Sequence, residues 1–174
     1  MLKIVFTYIF FVPLIIYSQQ STNIPPDLQT QLNEYNELLT KYQSEGNQNQ
    51  QASYYNKIAF IYWETENYQD AVEYFQKSLQ LNTTIGNRNA IYTIQTNLGM
   101  IYSDMLDYQA ALRIFENSLI TARNRSIKQD IASALVNIST TQQILDNNCE
   151  KVITNISEAV EIAKEINNVI LLRT

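Results

Sequence analysis

Apolar residues in the middle of the chain recur three, four and seven positions apart. Tyr55, Ile58, Ala59 and Tyr62 form one such stripe, and Ala71, Val72, Phe75, Ser78 and Leu79 form the next. That is the period of a helix packed on one side, not the alternation of a strand. It predicts one helix over about 51–65, a turn at Glu66-Asn67, and a second helix over about 68–81. Asn82 to Asn87 then read as a longer turn, with Gly86 as the helix stop. Upstream, Leu28, Leu32, Tyr35, Leu38, Leu39 and Tyr42 predict an amphipathic helix over 28–43. The stretch 19–27 before it reads as a linker in which Pro25-Pro26 exclude helix.

The pattern repeats. Displaced by 40 residues, Asn67–Leu79 falls on Asp107–Leu119 with six of thirteen pairs identical, where chance gives about one. The same displacement maps Ile61-Tyr62 onto Ile101-Tyr102, and Gly46-Asn47-Gln48-Asn49 onto Gly86-Asn87-Arg88-Asn89. Further on the match survives a one-residue slip, so that Ser118-Leu119 meets Ala159-Val160. Repeats are therefore expected at about 51–82, 91–122 and 131–165, with the helix over 28–43 as a cap and a further helix starting over 168–174. Gly99 falls inside a helix, where glycine costs about 1 kcal/mol against alanine. Close approach of the paired helix accounts for it, since Ala59 and Ser139 at equivalent places are also small.

Tyr55-x-x-Ile58-Ala59-x-x-Tyr62 followed by Ala71-x-x-x-Phe75-x-x-Ser78 resembles the tetratricopeptide repeat pattern. The second copy offers Gln95, Leu98-Gly99, Tyr102, Ala111, Phe115 and Ser118, and the third is degenerate, with Gln142 where tyrosine is expected. Two departures stand out. The terminal proline is missing, with Thr83 at its place, and the period is 40 rather than about 34. The surplus is expected in the turns between repeats. The resemblance implies an all-α, right-handed superhelical solenoid of antiparallel helix pairs. It also implies that the first helix of each pair lines a concave groove. That places Asn56, Lys57, Phe60 and Trp63 there from the first copy, Asn97 and Met100 from the second, and Asn137 from the third.

Exposed aromatics such as Trp63 and Phe60 suit a peptide anchor, unless the helix over 28–43 packs over them. Asn97 and Asn137, at the same place in successive repeats, resemble amides that hold a peptide backbone in peptide-binding members of the family. Lys57 resembles one piece of the family's carboxylate clamp, but Thr96, Asn97 and Ser133 stand where its other basic residues are expected. No such clamp is expected.

Composition narrows the chemistry further. The 174 residues include no histidine and one cysteine, Cys149, and carry a formal net charge of −5. A histidine-based triad and a multi-cysteine metal site are without residues, and the net negative charge argues against a basic patch for nucleic acid. Glu64 with Glu66, and Asp104 with Asp107, sit at helix ends where solvated charges are ordinary, so no catalysis is expected. No cofactor, metal or nucleic-acid partner is expected; the expected partner is a protein or peptide in the groove.

Lys3, the apolar run Ile4–Ile16 and Ser18 before a polar stretch read as a secretory signal peptide over 1–18. The run is short for a membrane span. Export to a bacterial periplasm or membrane surface follows as the expectation, with Cys149 as a buried structural thiol. At the other end, Val169–Leu172 is an apolar start of a helix where solenoids end in polar caps. It suggests a longer protein or a homodimer through that end. A membrane connection would then come only through a following region or an uncleaved signal. Exported arrays of this kind resemble the input regions of bacterial membrane signalling proteins.

Overall fold

The structure, a computed structural model, describes residues 24–145 and 149–166. The expected leader over 1–18 and the apolar stretch Val169–Leu172 lie outside the described residues. Within them are seven helices: α1 (Pro26–Ser44), α2 (Gln48–Glu64), α3 (Tyr68–Thr84), α4 (Arg88–Asp104), α5 (Tyr108–Arg125), α6 (Lys128–Leu145) and α7 (Cys149–Glu165). Neighbours in sequence pack as antiparallel pairs in an all-α solenoid.

The helices start at residues 48, 68, 88, 108 and 128, one every 20 residues, and then at 149. The 40-residue period is thus two equal halves, each a 17-residue helix and a three-residue turn in α2 to α4. The surplus over a shorter repeat lies in the helices, not in the turns as expected. The one-residue slip falls between the starts of α6 and α7.

The turns explain why. Gly46 donates its N–H to the Gln43 carbonyl at 3.2 Å, and Asn47 donates to the Tyr42 carbonyl at 3.0 Å. The same pair of bonds recurs at Glu66-Asn67, Gly86-Asn87 and Leu106-Asp107. Each is a Schellman closure around a left-handed residue, with φ between 58° and 73° at Gly46, Glu66, Gly86 and Leu106. The residue that completes the closure also starts the next helix. The side chains of Asn47, Asn87 and Asp107 accept from the backbone N–H of Gln50, Ala90 and Ala110. Polar residues that read as turn are therefore caps, and the first helices begin about three residues before the expected starts at 51, 91 and 131. Asn82, expected in a turn, is buried near the end of α3, its amide donating to the Ser78 carbonyl at 2.9 Å.

The linker expectation also changes at its end. Pro26 opens α1 and Asp27 lies in its first turn. A proline at the first helical position lacks only an N–H that would have no partner there, and an acid complements the N-terminal dipole. Cys149 is exposed at the start of α7 rather than buried.

Packing follows the stripes. Ala59, Ala71, Phe75, Ile94, Leu98 and Ile101 form one core across α2, α3 and α4. α1 seals the other flank of α2 through Leu32 and Leu39 against Ile58 and Ile61. A Cβ on Gly99 would stand 2.4 Å from the Phe115 ring. The small residue is there because the paired helix α5 comes that close.

Candidate functional site

Helices two units apart present their exposed stripes side by side. On α2 the exposed residues of this face are Ser53, Lys57, Phe60 and Glu64, with Asn56 and Trp63 half-buried at its edge. On α4 they are Thr93, Met100 and Asp104, with Asn97 half-buried. On α6 Thr140 and Gln143 are exposed and Asn137 is half-buried. Phe60 and Met100 leave 42% and 40% of their surface to solvent. Large apolar side chains on a polar face are the informative observation, since burial is their default.

Trp63 ties α2 to α4. Its indole Nε1–H donates to Asp104 Oδ2 at 2.8 Å. Phe60 stacks on it with centroids 5.9 Å apart and planes inclined by 22°. Both rings meet the buried Phe75 edge to face, with centroids 5.1 and 6.2 Å away. Phe60, Trp63 and Glu64 line a cavity of about 290 Å³ open to solvent. Tyr68 packs against the same core; burial pushes its hydroxyl above the ordinary tyrosine range, and the Glu66 and Asp104 carboxylates push it further. α1 does not cover these rings: its partners on α2 include Tyr54, Tyr55, Ile58 and Ile61.

The remaining expected residues separate. Lys57 turns to the α1 side, its ammonium 4.4 Å from the Tyr54 centroid and 5.3 Å from that of Tyr35. Asn56 lines a different cavity, of about 280 Å³, with Asn49, Ser53, Asn82, Asn87 and Thr93. Asn97 holds its amide nitrogen enclosed with no acceptor among the described residues. An enclosed donor left without a bond costs about 1–3 kcal/mol. Asn137 lies one first-helix further along, on α6. The structure therefore brings Phe60 and Trp63 together, carries Asn97 and Met100 on the adjoining helix, and places Lys57 and Asn56 apart from them.

Two features escaped the sequence reading. Asp104, read as an ordinary solvated charge, is the acceptor for Trp63. Its clue is its place in the repeat frame, one period after Glu64. The second is a sealed junction between α4 and α6. There the Tyr92 hydroxyl donates to the Asp130 carbonyl at 3.0 Å, and the Arg125 guanidinium stands 5.1 Å from the Tyr92 centroid and pairs with the Asp130 carboxylate. Burial, and then Asp130, raise the Tyr92 hydroxyl above its ordinary range. Among the described residues no three metal-ligating side chains converge.

The tetratricopeptide repeat family model matches residues 49–119, and that of anaphase-promoting complex subunit 5 matches residues 127–174. No curated protein matches. Among solved structures, the apo form of RapI superposes with a TM-score of 0.78 at 19% identity, over 84% of this chain and 41% of that one. BtubC from P. vanneervenii follows at 0.72 and 17%, over 82% and 59%. The Rap conjugation gene regulator of plasmid pLS20, in complex with the Phr* peptide, gives 0.63 and 15%, over 82% and 39%. At such identities the likeness is one of fold, and the chain spans between about two fifths and three fifths of the length of these proteins.

Proposed function

We propose that this chain, an array of tetratricopeptide repeats, is a non-catalytic module that binds an extended protein segment along the face shared by α2, α4 and α6. The observation that carries the reading is the stack of the exposed Phe60 on the half-buried Trp63, with Met100 exposed on the next first helix. Well-placed aromatics at the centre of an interface supply most of its affinity. The Asn97 amide, without an acceptor among the described residues and one first helix along from the stack, is a donor that a bound backbone carbonyl would satisfy. The Rap regulator with its bound Phr* peptide supplies a precedent for the fold.

Export is part of the proposal and rests on the leader-like residues 1–18. A sensory-input role is the second reading. It is favoured by likeness to a Pyrococcus horikoshii signal-transduction ATPase with a tetratricopeptide repeat sensor, at a TM-score of 0.69 over 22% of that chain.

Trp63 is the only tryptophan in the chain, so its emission reports on this face alone. The test selects a random peptide library on the full chain and titrates the winners against Trp63 emission. The expected outcome is a saturable emission change, with binding weakened about tenfold or more by Phe60→Ala. Winners that leave the emission unchanged contradict the reading.

A further inference from the structure

We propose that the Phe60–Trp63 platform receives an arginine side chain of the bound segment, held between the ring faces and the carboxylates of Glu64 and Asp104. This rests on the groove-binding reading and names the chemistry of its occupant. The stacked rings present a face of negative quadrupole, which attracts a planar cation. Glu64 lines the same cavity, and Asp104 is fixed beside it by the Trp63 indole bond. That bond uses one oxygen of Asp104 and leaves the other for a second donor. A guanidinium fits both demands, because it stacks on an aromatic plane and donates in a fork to a carboxylate.

The charge around the platform is unmatched. Among the described residues the ion pairs engage Glu73, Glu158, Asp130, Glu165 and Glu161, and neither Glu64 nor Asp104. Lys57, the cation on the same face of α2, is drawn to Tyr54 and Tyr35 instead. Glu66 and Asp104 both act on the Tyr68 hydroxyl, so the local field is negative. With a net charge of −5, the whole chain also attracts a basic segment from a distance.

The test must separate this pocket from bulk attraction. The full chain is titrated with a fluorescein-labelled acetyl-(Gly-Arg)4-amide peptide and with its citrulline counterpart, which keeps the shape and loses the charge. Anisotropy and Trp63 emission are read together. The variant Glu64→Gln/Asp104→Asn is set against Glu37→Gln/Glu116→Gln, which removes the same charge from exposed sites on α1 and α5. The expected result is Trp63 quenching by the arginine peptide, at least roughly tenfold weaker binding of the citrulline peptide, a loss of similar size in the groove variant, and less than about twofold in the distant one. Equal losses in the two variants would overturn the proposal, and so would no binding of the arginine peptide. If the citrulline peptide binds and quenches as well as the arginine one, the cation site fails while groove binding stands. If library-selected peptides leave Trp63 untouched, groove binding itself fails.

Discussion

The α2/α4 and α4/α6 junctions solve one problem in opposite ways. Both must link first helices that lie two units apart in the solenoid. At α4/α6 the link is inside: Arg125 pairs with Asp130 and lies over Tyr92, with the two charged side chains only 10% and 21% exposed. At α2/α4 the link is outside, a single bond from Trp63 to the exposed Asp104. The first arrangement spends its polar groups on one another. The second holds an aromatic surface at the protein's edge with carboxylates beside it. The repeat frame fixes where a junction must be, and the side chains at its rim decide whether it also becomes a binding surface.

The largest expected effect breaks the sealed junction. Arg125→Ala leaves the Asp130 carboxylate poorly solvated and without its partner, and is expected to lower stability by about 3 kcal/mol in urea denaturation. Asp104→Asn keeps an acceptor for the Trp63 indole and is expected to change stability by no more than about 0.5 kcal/mol. Comparable losses at the two sites would erase the distinction between sealed and open junctions.

A smaller effect probes the core that both junctions share. Gly99→Ala adds a good helix former, yet its Cβ meets the Phe115 ring at 2.4 Å, and Phe115 is only 3% exposed. Overpacking of about 1–3 kcal/mol outweighs the propensity gain of about 1 kcal/mol. Thermal denaturation should therefore show a net loss of about 1 kcal/mol. A more stable variant would mean that α4 and α5 separate easily.

An effect of similar size concerns the turns. Gly86→Ala is expected to cost about 1 kcal/mol, and Leu106→Gly to give back a similar amount, because both positions hold φ above 60°. Leu106 is 71% exposed, so little packing is lost with its side chain. Changes of the same sign in the two variants would contradict this account of the turns.

Much of this was legible in the chain. Helical spacing gave the paired helices, the 40-residue displacement gave the repeat, and three small residues at equivalent places marked the close approach at Gly99. The helix starts were harder. Asn47, Asn87 and Asp107 carry no hydrophobic signal, and their double role as closure and cap exists only once two helices meet. Glu66 and Leu106 hid two left-handed turns because glycine, the usual marker, stands only at Gly46 and Gly86. The Phe60–Trp63 face followed from the period within α2. The Asp104 and Arg125 contacts did not, since they join residues 41 and 33 positions apart, Trp63 to Asp104 and Tyr92 to Arg125, across different helices.

The most direct test of the proposed binding face uses the methionines. The chain has three, Met1, Met100 and Met105. Met100 is exposed on the α4 stripe, and Met105 packs against the core at the end of the same helix. A methyl-labelled methionine NMR spectrum of the full chain, taken as a library-selected peptide is added to saturation, separates them. Groove binding predicts that the Met100 signal shifts in step with occupancy while Met105 stays in place. Saturated binding with Met100 unmoved would contradict it.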